Sequence, residues 1–161
     1  MSADDVVEIV AAGPDDAALV HVLVRELAAH EGSSSDVTTT VERWRELLAH
    51  DDVHVLLALV DGDPVGFVSA VRKLHLWTGR DIVALDDLWV RPDWRNRQIG
   101  ESLMRALADR HPGLAVRWEV DEGNLAGQRF YLRLGARLRR KVVAWWQPTA
   151  DADAGQPSPS R

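Results

Sequence analysis

Between Leu88 and Gly100 an apolar segment runs into a basic turn, Arg91-Pro92-Asp93-Trp94-Arg95-Asn96-Arg97-Gln98, and from there directly into a helical pattern. Pro92 forbids extension of the strand, and Ile99, Leu103 and Leu107 recur every four residues, as one buried helix face requires. The turn therefore sits at a helix N-terminus. Unpaired backbone N–H groups and the positive end of the helix dipole favour an anion such as a phosphate there, and Arg95 and Arg97 add charge. Arginines in a solvated strand-to-helix turn also serve as plain solubilising charges, so spacing alone leaves both readings open. Just upstream stand two adjacent carboxylates, Asp86 and Asp87, able to accept a proton or hold a cation. Strand alternation sends their side chains to opposite faces, so at most one readily meets a substrate.

These groups need a scaffold. The 161 residues are 46% hydrophobic and 27% charged, the balance of one soluble domain with a real core. A net charge of −6 argues against a general nucleic-acid binder. With no cysteine, the chain has no disulfide, thiolate nucleophile or Cys-based zinc site, and the scattered histidines His21, His30, His50, His54, His75 and His111 lack ligand spacing, so no metal is expected. The absence of an apolar run near 18 residues and the acidic Asp4-Asp5 start point to a cytoplasmic protein without a membrane partner.

The pattern predicts a strand over Val6 to Val10 and a helix burying Val20, Leu23, Val24 and Leu27, capped by Asp15 or Asp16. A short helix aligns Val41, Trp44 and Leu48. The alternating runs Val53-Val55-Leu57-Leu59 and Val65-Phe67-Ser69-Val71, joined at Asp61-Gly62-Asp63-Pro64, form a hairpin. Further strands are predicted over Ile82 to Val90, Leu114 to Val120 and Leu138 to Trp146. Helices cover Ile99 to Arg110 and the segment presenting Ala126, Phe130 and Leu134, with Gly135 as C-cap and Asn124 as N-cap. The expectation is an α/β fold with a mixed sheet flanked by helices, spanning 1–146, and a disordered tail over 147–161.

Strand, basic turn and helix, followed by Asn124, Ala126, Phe130, Tyr131, Leu134, Gly135 and Ala136, resemble the GCN5-related N-acetyltransferase family, over roughly Glu8 to Trp146. The Leu85-Asp86-Asp87-Leu88 approach and Arg25-Glu26-Leu27-Ala28-Ala29-His30-Glu31 are similar to its diamine and thialysine branch. The resemblance implies six or seven strands with about four helices, a homodimer, and acetyl transfer from acetyl-CoA to a small primary amine. A polyamine, a diamine amino acid or an aminoglycoside-like compound fits; acetylation of a protein N-terminus or lysine, or acyl-CoA binding with weak turnover, are the alternatives. Backbone groups of Leu88, Trp89 and Val90 are then expected on the pantetheine arm, and Arg95, Asn96, Arg97, Gln98, Ile99 and Gly100 around the pyrophosphate, with Asn124 and Tyr131 also near the cofactor. Tyr131, the only tyrosine, takes the place of the family's general acid, and Asp86 that of the proton acceptor or ammonium ligand. Asp87, His75 and Glu31 complete the expected substrate site, although Asp87 could equally accept backbone N–H groups, Tyr131 pack on Phe130, and Asn124 act as a cap alone.

One departure stands out. The family's turn reads Arg/Gln-x-x-Gly-x-Gly/Ala, and Gln98 occupies the first glycine position while Gly100 is retained. A first-turn helical conformation with negative φ at Gln98 is the expectation that reconciles it.

Overall fold

The computed structural model describes residues 6–148, which fall into two compact units, one ending at Glu119 and the next beginning at Val120. In the first, β1 (Val7–Ala11), α1 (Ala17–Glu31), α2 (Val41–Leu48), β2 (Val53–Val60), β3 (Asp63–His75), β4 (Arg80–Val90), α3 (Ile99–Arg110) and β5 (Val116–Arg117) follow in order. The second holds α4 (Leu125–Leu134). One sheet of five strands is ordered as in the sequence; β1 to β4 are antiparallel and β5 runs parallel to β4 through the α3 crossover.

Local chemistry explains most boundaries. Asp61 and Gly62 both take positive φ, 50° and 83°, the two-residue turn whose twist suits a hairpin, and Val60 pairs with Asp63 across it. Thr40 Oγ1 accepts from the Arg43 N–H at 3.1 Å, closing the start of α2. Asp16 precedes α1, but its carboxylate turns back to accept from the Gly13 N–H at 2.8 Å instead of capping the helix. At the far end of α1, Gly32 adopts φ 74°, a left-handed stop.

Side-chain alternation divides the core. Phe67 and Trp89 pair across β3 and β4 and pack with Leu23, Leu27, Trp44, Leu48, Val55 and Leu57, the cluster that α1 and α2 cover. Leu56, Ala58, Val68 and Ala70 point the other way and are equally buried, on the face where α3 contributes Ile99, Leu103 and Leu107. Arg91 ties β4 to α1: its Nε and Nη2 donate to the two carboxylate oxygens of Glu26 at 2.9 and 2.8 Å, and Nη1 donates to the Pro64 carbonyl at 2.6 Å. That fork fixes where the chain enters the basic turn.

Two expectations are corrected. Among the described residues the sheet has five strands and Leu138 to Trp146 carries none: its order Leu-Arg-Arg-Lys-Val-Val-Ala-Trp-Trp has no period of two that could bury one face. Both Trp145 and Trp146 are exposed, where a strand over this segment would turn one of the two inward. The tail expected over 147–161 lies outside the described residues from 149 on. Among the described residues no helix is long and apolar enough to cross a membrane.

A positive imidazole would gain from the end of a helix, but His111, which ends α3, is buried and stacks edge-on against His54 with ring centroids 4.3 Å apart. Burial lowers the proton affinity of both rings; His111, Arg72 and, in the opposite sense, Asp52 act further on His54, and Arg72 and Arg110 act further on His111. The unfolded chain therefore binds more protons below the ordinary imidazole value of about 6.5, and this contribution to stability is complete above that pH and lost as the pH falls through and below it. Urea melts at pH 7.5 and 5.5 are expected to show the loss, and the His111→Phe variant a smaller one.

Candidate functional site

At the end of β4 the register with β3 slips by one residue: Ser69 faces Asp87 and Ala70 faces Leu85, leaving Asp86 as the extra residue of a β-bulge. Simple alternation, on which the expectation of opposite faces rests, therefore does not carry across this pair. Asp86 is exposed and Asp87 partly buried. Partial burial raises the proton affinity of Asp86, the charge of Asp87 raises it further, and Lys73 opposes both. Burial likewise raises Asp87, as does Glu31 at the end of α1, against a lowering by Ser69, whose Oγ donates to Asp87 Oδ2 at 3.0 Å. Glu31, Asp87 and Asp86 thus belong to one acidic neighbourhood. Asp87 accepts from a side chain, not from the backbone N–H groups offered as its alternative role.

Beyond the bulge, the strand presents backbone on its outer edge. The Arg91 N–H donates to the Val65 carbonyl at 2.9 Å, so by the two-residue period of an antiparallel ladder Leu88 and Val90 turn their N–H and C=O away from β3. On that side β5 pairs only with Val83 and Ala84. Among the described residues no strand pairs with Leu88 to Val90 there. Arg95 confirms the direction, since its Nε donates to the Val90 carbonyl at 3.0 Å.

The turn itself is tight. Asn96 and Gln98 both take left-handed conformations, φ 61° and 62°, and Gln98 is the N-cap of α3. No side chain caps that helix, so its first N–H groups face the turn without a side-chain acceptor. Alternating left-handed residues before an uncapped N-terminus make a concave cluster of backbone N–H groups suited to an anion. The arginines lie along its walls: Arg95 stacks over Trp89 at 4.8 Å, with Nη2 3.4 Å from His30 Nε2, and Arg97 stacks over Trp94 at 4.7 Å.

Gln98 is the clearest correction to the sequence reading. Its φ is positive, not that of a helical first turn, so this residue bears the strain that glycine in the same place avoids, about 1–2 kcal/mol. Gln98→Gly is expected to remove that strain against about 0.4–1 kcal/mol of added chain entropy. The net result is a slightly higher thermal midpoint together with tighter acetyl-CoA binding, checked by thermal melts and calorimetry; a fall in both would give the Gln98 side chain a supporting role.

The other expected residues fall elsewhere. His75 ends β3 at the hairpin tip, paired with Arg80, six residues beyond Ser69 and so about 20 Å along the strand from the carboxylates. It does not line a groove beside them. In the second unit, Asn124 caps α4, its Oδ1 accepting from the Gly127 N–H at 2.8 Å, and Gly135 ends the helix at φ 97°. Tyr131 is partly buried, edge-on to Phe130 with centroids 5.1 Å apart, and burial raises its proton affinity. Sequence reasoning passed over Ser69, for which a lone hydroxyl in the inward row Val65, Phe67, Ser69 was the signal.

Sheet, bulge, strand edge and uncapped helix define an α/β protein with a strand–turn–helix suited to an anion. A family model described as the acetyltransferase (GNAT) family matches residues 20–136. The chain belongs to that family. An uncharacterized N-acetyltransferase of Methanocaldococcus jannaschii is 28% identical over 109 residues, covering 64% of this chain and 48% of its own length. Another, from Archaeoglobus fulgidus, is 32% identical over 94 residues, covering 55% and 62%. The chain thus spans about half to three-fifths of these curated relatives. Among solved structures, the aminoglycoside N-acetyltransferase AAC(6')-Iy in complex with CoA shares the fold, with a TM-score of 0.73 at 18% identity over 92% of this chain and 99% of that one.

Proposed function

We propose that the chain transfers an acetyl group from acetyl-CoA directly to a primary amine of a small molecule, such as a polyamine, a diamine amino acid or an aminoglycoside-like compound. The observation that carries this reading is the anion-suited turn at 95–100 placed directly after a strand whose outer edge, at the Leu88 backbone groups and the Val90 N–H, is paired with no strand among the described residues. A diphosphate suits the first and an amide-bearing arm the second, and acetyl-CoA offers both, together with the activated acetyl group. Family membership and a structural neighbour bound to CoA support the same assignment.

The chain's own groups then divide the proton work. A protonated amine cannot attack, so a carboxylate must take its proton, and Asp86 is the acceptor proposed, with Asp87 and Glu31 drawing the cation in. Tyr131 is assigned the opposite task. Its hydroxyl, held protonated at neutral pH by burial, gives a proton to the leaving sulfur as the carbon–sulfur bond breaks and the carbon–nitrogen bond forms. Asn124 stays with the cofactor side of the site in this scheme.

A second reading, acyl-CoA binding with weak turnover, is favoured by the strain at Gln98. One experiment separates the two: acetyl-CoA is titrated calorimetrically, and CoA release is followed with polyamines, lysine analogues, aminoglycosides and short peptides. Saturable binding with steady release for a small amine is the expected result. Binding without release selects the second reading, release with peptides alone moves the substrate to proteins, and no heat at millimolar cofactor with folded protein overturns both.

A further inference from the structure

We propose that Ser69 is a positioning residue for this reaction: its hydroxyl, donated across the β3–β4 pair to Asp87 Oδ2, holds that carboxylate oriented and ready as a charge beside the bulged Asp86. The inference rests on the acetyl-transfer reading, and the placement carries it. Ser69 is only 6% exposed and stands in a row whose other members, Val65 and Phe67, are apolar and buried. A hydroxyl there is out of keeping with the core unless a polar partner faces it. Asp87 is that partner, directly opposite in register, and the very next step of the ladder is the bulge that displaces Asp86.

The surroundings set the direction. Burial and the charge of Glu31 from α1 act on Asp87 toward protonation, while Asp86 feels burial, the charge of Asp87 and, in the opposite sense, Lys73 of β3. His30, which packs on Trp89 at 4.9 Å, belongs to the same end of α1. Against this pressure toward protonation Ser69 supplies the opposing hydrogen bond, and Asp86 in turn responds to the charge of Asp87. Losing the hydroxyl shifts Asp87 toward its protonated, neutral form; Asp86 then loses the neighbouring charge that raises its own proton affinity and becomes a weaker acceptor for the proton of an amine.

The test uses the full chain with 13C-labelled aspartate carboxyls, following Asp87 by NMR across pH in wild type, Ser69→Ala and Ser69→Thr, alongside the pH profile of kcat with an amine found to be acetylated. Ser69→Ala is expected to move the Asp87 midpoint upward and the acid limb of kcat, set by Asp86, downward, each by about half to one pH unit, and Ser69→Thr, which keeps the hydroxyl, to restore both. An unmoved midpoint in Ser69→Ala, or a Ser69→Thr midpoint displaced as far as that of Ser69→Ala, overturns the proposal. A midpoint that moves while the acid limb stays fixed also overturns it, leaving acetyl transfer intact. Wild-type protein that acetylates no amine overturns the underlying reading, and with it the role of Ser69 in the reaction, a result the titration itself does not mimic.

Discussion

Asp86→Asn is expected to lower kcat for amine acetylation by about 10²- to 10⁴-fold, the usual worth of a positioned proton acceptor, while acetyl-CoA affinity changes by less than about twofold. Asparagine fits the bulge as aspartate does, so the backbone of β4 has no reason to move. What disappears is a carboxylate whose proton affinity burial and Asp87 have raised above the ordinary range, toward that of a better base near neutral pH. The same shift fixes the pH dependence: activity is full where Asp86 is ionised and falls as the pH drops through its raised value. Steady-state CoA release across pH, paired with calorimetry, measures both. If kcat and KM are unchanged, Asp86 leaves the mechanism.

Gly66→Ala is expected to carry the largest cost in stability. A Cβ on Gly66 would stand 2.6 Å from the Trp89 carbonyl oxygen and 3.2 Å from the Val90 Cα, both backbone atoms that cannot turn aside. Since Gly66 is paired with Val90 on one side and Ala58 on the other, relief requires β3 and β4 to part at the end of the strand. Overpacking of this kind costs about 1–3 kcal/mol, and the parting would displace the entry to the basic turn as well. A lowered urea midpoint with weakened acetyl-CoA binding is therefore predicted; unaltered values of both would mean that the strands part without cost.

How much of this was legible in the residues depends on how local each feature is. Helix and strand periodicity located α1, α2, the β2–β3 hairpin and α3, and the caps at Thr40, Asn124 and Gly135 follow from side chains or backbone freedom within a few residues. The bulge at Asp86 is a property of two strands in register, which no reading along one strand contains. Positive φ at Gln98 is set by the path from strand to helix and overrides the residue's own preference. The apolar content of Leu138 to Trp146 invited a strand, yet a strand exists only with a partner. Within the candidate site, Asp86, Asp87 and the turn were readable as chemistry; the Ser69–Asp87 contact, linking residues 18 apart, was not.

Leu88 and Val90 offer ligand only what every residue but proline possesses, an N–H and a carbonyl. A grip made of main chain is inherited with the path of the strand and not with the letters written along it. Side chains at these positions are free to drift, and mutation there is filtered by packing alone. Under the proposed acetyl-CoA assignment, that separation leaves the hold on the cofactor to the main chain and the choice of amine to side chains such as the carboxylates.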